Sequence, residues 1–129
     1  MKDAKQVSRL LIVDDEPRIC RTLARIFAAR FEVVTCESGQ SARAVLEQDS
    51  DFDVILCDMM MQPGTGGELY EWLEQHRPAL AERIVLMSGG VVDPQERAVL
   101  ARVGERTVEK PFNIPRLIQL VEEVAAKSR

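Results

Sequence analysis

Five residues can act together if the fold gathers them: Asp14, Asp15, Asp58, Ser88 and Lys110. Each lies at the end of a short apolar run. Arg9-Leu10-Leu11-Ile12-Val13 leads into Asp14-Asp15, and Val54-Ile55-Leu56-Cys57 into Asp58. The run 83–87 ends on Ser88-Gly89-Gly90, and Thr107-Val108-Glu109 on Lys110-Pro111-Phe112. Short runs rich in Val, Ile and Leu, bounded by turn residues, read as buried strands. If the strands are parallel, their polar ends share one edge, where open α/β sheets do their chemistry. Two unit charges ~4 Å apart near a surface repel by about 4 kcal/mol, so three clustered carboxylates call for a cation. Oxygen-only ligands with open positions suit Mg2+, which keeps waters and accepts phosphate oxygens. Lys110 is a compact charge for a phosphoryl or carboxylate oxygen. The Ser88 hydroxyl can donate one hydrogen bond, and Gly89-Gly90 leaves the backbone approachable. A metal, a lysine, a hydroxyl and one central carboxylate are what phosphoryl transfer to Asp58 requires.

The elements that must position these groups alternate from end to end. Strand-like runs over 9–13, 31–36, 54–58, 83–87 and 107–109 are separated by amphipathic stretches. Glu16-Pro17 opens a helix with an acid in its first turn, with Leu23, Ile26 and Phe27 on one face and Arg18, Arg21 and Arg25 on another. Ser38 caps a second helix carrying Ala42, Val45 and Leu46. A third spans roughly 68–75, with Leu69, Trp72 and Leu73. Asp93-Pro94 opens a fourth, stopped by Gly104, and Asn113 caps the last, with Leu117, Leu120, Val121 and Val124 inward. Strand–helix alternation marks a parallel sheet covered on both faces. Right-handed crossovers leave few topologies, and a flavodoxin-like (βα)5 sheet with order 2-1-3-4-5 is expected.

Composition bounds the function. The 129 residues make one domain over 1–129, with a core of about 8–127. A net charge of -4 and a pI near 5.1 argue against direct nucleic-acid binding. No run reaches membrane-spanning length and no signal peptide is visible, so a cytoplasmic protein is expected. Cys20, Cys36 and Cys57 show no metal-ligand spacing and read as free thiols. His76 reads as a surface residue, and Met59-Met60-Met61 as loop packing.

At Asp14-Asp15, Asp58, Ser88 and Lys110-Pro111-Phe112 the chain resembles the receiver domain of two-component response regulators, over nearly its whole length. The resemblance implies a non-enzymatic signalling switch. Asp58 would accept a phosphoryl group from a histidine kinase or histidine phosphotransfer protein. Mg2+ would be held by Asp15, Asp58 and the backbone carbonyl of Met60, with Asp14 acting through water. Lys110 would bind a phosphoryl oxygen, Ser88 would shift onto the phosphoryl group, and Lys110-Pro111 would be a cis peptide. Arg18, Ile19, Thr22 and Pro111 would meet the phosphodonor. A homodimer formed on phosphorylation is compatible with this reading. The Met-Ser-Gly-Gly and Glu-Lys-Pro-Phe segments are similar to receivers of hybrid histidine kinases. No output domain follows the last helix, so either a stand-alone regulator or a receiver from a larger protein fits.

Two departures from the family pattern carry expectations. Proline stands at 63, after Gln62, and Gly67 follows in step, which reads as a one-residue insertion in the loop after Asp58. Thr107 occupies the strand-five position that often holds an aromatic switch residue. Gly90 and Met60 offer no polar side chain to assist hydrolysis, so a persistent acyl phosphate is expected. The competing class is a receiver-like interaction module without phosphorylation. An aspartyl-phosphate hydrolase would want an acid two residues after the nucleophile, where Met60 stands. A flavodoxin would need a hydroxyl-rich loop where Asp14-Asp15 lies.

Overall fold

The computed structural model describes residues 7–61, 63–90 and 93–128. Five strands, β1 (Ser8–Val13), β2 (Phe31–Cys36), β3 (Val54–Asp58), β4 (Ile84–Ser88) and β5 (Thr107–Glu109), form one sheet of order β2-β1-β3-β4-β5. Every pairing is parallel, as the flavodoxin-like reading requires. The helices are α1 (Pro17–Phe27), α2 (Gly39–Gln48), α3 (Gly66–His76), α4 (Pro78–Ala81), α5 (Pro94–Val103) and α6 (Ile114–Lys127).

Strand alternation divides the apolar residues into two cores. Leu10, Ile12, Val54, Leu56, Val85, Met87 and Val108 pack with Leu23 and Phe27 of α1 and Leu117, Val121 and Val124 of α6. Leu11, Val13, Ile55, Cys57, Ile84 and Leu86 face Ala42 and Leu46 of α2, Leu69 and Leu73 of α3, and Val99 and Val103 of α5. β3 lies between β1 and β4, and all five of its residues are buried. Each fully buried Val, Leu or Ile contributes about 1.5–3 kcal/mol. The strand that ends on Asp58 is therefore held firmly from both faces.

The helix ends follow side-chain capping. Ser38 and Ser41 form a reciprocal capping box on α2, and Asp93 and Glu96 do so on α5. Asn113 caps α6 through the Arg116 N–H, and Gly104 ends α5 at φ 69°. Four expectations shift. Glu16 is the residue before α1 rather than part of its first turn, and its N–H is bonded by the Asp14 carboxylate at 2.9 Å. β4 starts one residue later than expected and takes in Ser88. The third helix starts at Gly66 rather than near 68, because Thr65 and Glu68 form a capping box there. A sixth, one-turn helix, α4, follows Arg77 in addition to the five expected; Pro78 sits at its first position and Leu80 and Ala81 are buried. A single turn is too short to leave a periodic signal.

The loop between β3 and α3 corrects a further expectation. Pro63 and Gly67 together predict an inserted residue, yet the close-approach glycine is Gly66. A Cβ at Gly66 would lie 2.4 Å from the Asp58 carbonyl oxygen and 2.9 Å from the Met59 Cα, whereas one at Gly67 meets only side chains at 3.5 Å and beyond. With Gly66 as the junction, the helix end of the loop carries no extra residue. The departure that remains is Pro63; Gln62 lies outside the described residues. Met59 and Met61 are buried, as loop packing predicts, but Met60 is 51% exposed.

The contrast between the two glycines is measurable by urea unfolding. Gly66→Ala is expected to cost about 1–3 kcal/mol, because backbone atoms must move to admit the methyl group. Gly67→Ala should be neutral or stabilising by up to about 1 kcal/mol, since the space is there and alanine favours helix.

Candidate functional site

Parallel pairing sets the site. Val13 is level with Cys57, and Asp58 with Met87, so Asp14 and Asp58 emerge side by side at the carboxyl edge. β5 brings Lys110 beside them, with its N–H bonded to the Ser88 carbonyl at 2.8 Å. Asp14 and Asp58 have the strand parity of the face covered by α1 and α6. Lys110, two residues after Val108, shares that parity, and the Lys110-Pro111 peptide is cis.

The Lys110 Nζ lies 3.4 Å from the Asp14 Oδ2 and 3.4 Å from the Asp58 Oδ1. Asp14 and Asp58 are buried and Asp15 is exposed. One carboxylate oxygen from each of the three acids falls within 4.8 Å of the others, close enough to share one metal ion. One ammonium against three carboxylates leaves two negative charges uncompensated. A hard divalent cation matches that deficit, and the all-oxygen donor set matches its preference.

The electrostatics follow from this crowding. Burial pushes the Asp58 carboxyl above its ordinary value, and the nearby Asp14 charge adds to the rise. Lys110 and the Met60 N–H, which is 3.4 Å from the Asp58 Oδ1, act in the opposite direction without reversing it. For Lys110, burial would lower the value, but the attraction of Asp58 and Asp14 outweighs it and the ammonium is held. The lysine is thus secured by two acids, while each acid has only part of a lysine.

The remaining expected residues fall around this centre. Ser88 is buried at the end of β4, with parity opposite to Asp58. The Met59 carbonyl is taken by the Gly66 N–H at 3.1 Å, while no hydrogen bond to the Met60 carbonyl is formed among the described residues. Arg18 and Thr22 are exposed on α1, Ile19 is half-buried against the core, and Pro111 is exposed next to Lys110. Thr107 is half-buried, and its hydroxyl donates to the Gly104 carbonyl at 3.1 Å. All three cysteines are buried free thiols; burial pushes Cys20 up to about 11 and raises Cys36 and Cys57. His76 is exposed, as expected, and stacks on Trp72.

One participant had no chemical signature in the sequence. The Gly39 N–H donates to the Gly64 carbonyl at 2.9 Å, and the Gln40 N–H to the Pro63 carbonyl at 3.3 Å. The loop after Asp58 therefore supplies acceptors to the first N–H groups of α2. A Cβ on Gly39 would lie 2.3 Å from the Gly64 oxygen. The only local hint was a glycine directly after the Ser38 cap.

The profile of the response regulator receiver domain matches residues 10–122. The chain belongs to that family. Among curated relatives, the receiver is 28% identical over 121 residues to the regulatory protein VanRB of Enterococcus faecalis, covering 93% of this chain and 53% of that protein. It is 33% identical over 118 residues to the hydrogenase transcriptional regulatory protein HoxA of Cupriavidus necator, covering 88% of this chain and 23% of that one. The receiver thus spans about half the length of the first and about a quarter of the second. A receiver protein from Pseudomonas putida superposes with a TM-score of 0.79 at 25% identity, over 91% of this chain and 97% of its own. A CheY-like receiver domain from Methanospirillum hungatei shares the fold, with a TM-score of 0.82 at 22% identity over 95% and 96% of the two chains.

The raised Asp58 has a consequence for stability. The folded receiver holds this proton more tightly than the unfolded chain, so an ionised Asp58 detracts from stability. The loss develops as pH rises from the ordinary carboxylate value through the higher folded value, and persists above it. In buffer containing a metal chelator at neutral pH, Asp58→Asn is expected to raise the urea midpoint. Its advantage over wild type should fade as the pH falls below the carboxylate range. A lower midpoint for the variant at neutral pH would contradict the balance of charges described above.

Proposed function

We propose that this receiver is the phosphoacceptor module of a two-component relay and that Asp58 takes the phosphoryl group. The observation that carries the reading is the Lys110 ammonium, 3.4 Å from carboxylate oxygens of both Asp58 and Asp14, with Asp15 close enough to share a cation. An Asp58 oxygen attacks phosphorus in line, the bond from phosphorus to the donor imidazole nitrogen breaks, and the electron pair returns to that nitrogen. Lys110 receives one phosphoryl oxygen and exchanges its hold on Asp58 for it. Asp14, through water, Asp15, Asp58 and the Met60 carbonyl would hold Mg2+, which when bound neutralises charge on the phosphoryl oxygens. Ser88 donates its hydroxyl proton to a phosphoryl oxygen, and its movement toward that group is the switch.

Receiver domains are regulatory and are phosphorylated by histidine kinases; a kinase or a histidine phosphotransfer protein is the partner proposed here. Arg18, Ile19, Thr22 and Pro111, beside the pocket, are proposed to meet it. Thr107 is tied to Gly104 and is not aromatic, so the Ser88 movement is relayed without an aromatic rotamer on β5. No helix among the described residues is long and apolar enough to cross a membrane, and a cytoplasmic setting accords with the proposed partner. Whether phosphorylation also drives dimerisation is read from the size of the phosphorylated species.

Incubation with Mg2+ and phosphoramidate should add one phosphoryl group by intact mass, and Asp58→Ala should add none. Failure of the wild-type chain to gain the group would favour an interaction module that works without phosphorylation. The acyl phosphate is expected to outlast seconds at neutral pH, because Met60 presents an apolar side chain and Gly90 none. Decay within seconds, followed by acid-quenched mass spectrometry, would refute that persistence.

A further inference from the structure

The edge of the sheet opposite Asp58 carries a cleft of its own. β4 and β5 are each entered by a Glu-Arg pair: Glu82-Arg83 precedes Ile84, and Glu105-Arg106 precedes Thr107. The two strands are parallel neighbours, so both pairs stand at the amino edge. Arg83 shares strand parity with Val85, and Arg106 with Val108, which is the parity of the face that α6 covers. α6 adds Glu123 and Lys127. A cleft of about 250 Å3 lies between these residues, with the buried Leu120 and Val124 also in its lining. The acidic cluster stands at the carboxyl ends of the strands and shares no residue with it.

The two arginines are fixed but not neutralised. The Arg83 Nη1 donates to the Phe52 carbonyl at 2.9 Å, and the Arg106 Nη1 to the Ala81 and Ile84 carbonyls, both at 2.9 Å. Both side chains are half-buried. Backbone carbonyls thus hold each guanidinium at one nitrogen, and its other donors have no partner among the described residues. Glu82 and Glu105 are exposed and form no ion pair there, and Glu123 accepts only from Gln119 at 3.4 Å. Even Glu123 and Lys127 do not pair, although their spacing and order along the helix favour it. Elsewhere opposite charges do meet: Arg9 pairs with Glu32 and Asp49, Arg43 with Glu47, and Arg102 with Glu71 and Glu74. Here three cations and three acids line one cleft with no ion pair between them among the described residues.

We propose that this cleft binds a small zwitterion, an α-amino acid with an aliphatic side chain. Its carboxylate takes the donors left on Arg83 and Arg106, since guanidinium forks suit carboxylates. Its ammonium goes to Glu82 and Glu105, and its side chain covers Leu120 and Val124. Lys127 adds to the positive side and Glu123 to the negative. A simple anion would meet the three acids as well as the arginines, and a simple cation would meet the reverse, so only a ligand with both signs gains at both. Holding the guanidinium groups in advance lowers the ordering cost of binding. The volume falls below the ~300–1,000 Å3 of sites for drug-sized ligands, which calls for a small occupant. The proposal stands independently of the reading of Asp58.

The probe is L-leucine, titrated into the purified chain by calorimetry and by amide NMR. One site is expected, with the shifted amides gathered at residues 82–84, 105–107 and 120–128. Isocaproate, which lacks the ammonium, and isoamylamine, which lacks the carboxylate, should each bind about tenfold more weakly, as the loss of a charge-assisted hydrogen bond requires. Glycine should also be the weaker ligand, because it leaves Leu120 and Val124 uncovered. Glu82→Gln with Glu105→Gln, both at exposed positions, should lower leucine affinity about tenfold and leave isocaproate no weaker. Lys127→Gln, exposed and holding no backbone group, should weaken leucine and isocaproate alike. Leucine in large excess with neither heat nor shifts would mean ordinary solvated charges and overturn the proposal. Equal binding of leucine and isocaproate would mean a plain anion site and overturn it too, as would unchanged leucine affinity in the double glutamate variant. Equal binding of glycine and leucine would strike out the aliphatic side chain.

Discussion

Two buried carboxylates share one ammonium at the edge of this sheet, and a third stands beside them. Asp14 and Asp58 are both buried and both 3.4 Å from the Lys110 Nζ, and Asp15 stands within reach of the same cation site. Like charges ~4 Å apart repel by about 4 kcal/mol at an effective dielectric of about 20. Lys110 offsets only part of that repulsion. The sheet beneath them holds the acids together: β1, β3 and β4 are pinned by parallel hydrogen bonding and by apolar side chains on both faces. The carboxyl edge is also open, so Asp15 remains in water and a hydrated cation or a phosphoryl group can enter. The molecule thus keeps an unbalanced negative pocket that a divalent cation can relieve.

That imbalance explains how the neighbouring elements are used. Lys110 is fixed through the backbone bond from its N–H to the Ser88 carbonyl, so the two residues proposed to meet the phosphoryl group share one hydrogen bond. The loop after Asp58 is held at both ends. Gly66 lies against the Asp58 carbonyl, and Pro63 and Gly64 accept from the first N–H groups of α2. In between, Met59 and Met61 are buried and Met60 is turned outward. The loop is anchored by its glycines and by two methionines, and the backbone at Met60 is left facing the cluster.

Much of this was legible in the chain, for definite reasons. Strand–helix alternation, capping residues and the Pro and Gly stops are local, so the five strands and five long helices could be placed to within a few residues. The polar ends of four strands could be gathered because parallel topology puts them on one edge whatever the details. The short helix α4 was not legible, since one turn leaves no period. The choice between Gly66 and Gly67 is not local, because the demand for a missing Cβ comes from the Asp58 carbonyl, which the strand brings there in space. The contact between Gly39 and Gly64 was invisible for the same reason: two residues far apart in the chain meet only after β1 and β3 have paired.

The sequence by itself determined which polar groups would stand at which strand ends, because residue type and periodicity are carried by neighbours along the chain. Val54–Asp58, a buried strand ending on a single acid, could be recognised from that alone. Only the tertiary structure decided how the charges divide. Register brought Asp14 beside Asp58, β5 set one lysine between them, and burial raised the Asp58 carboxyl in spite of that lysine. Charge balance and desolvation depend on distances across strands, and no stretch of chain contains those distances.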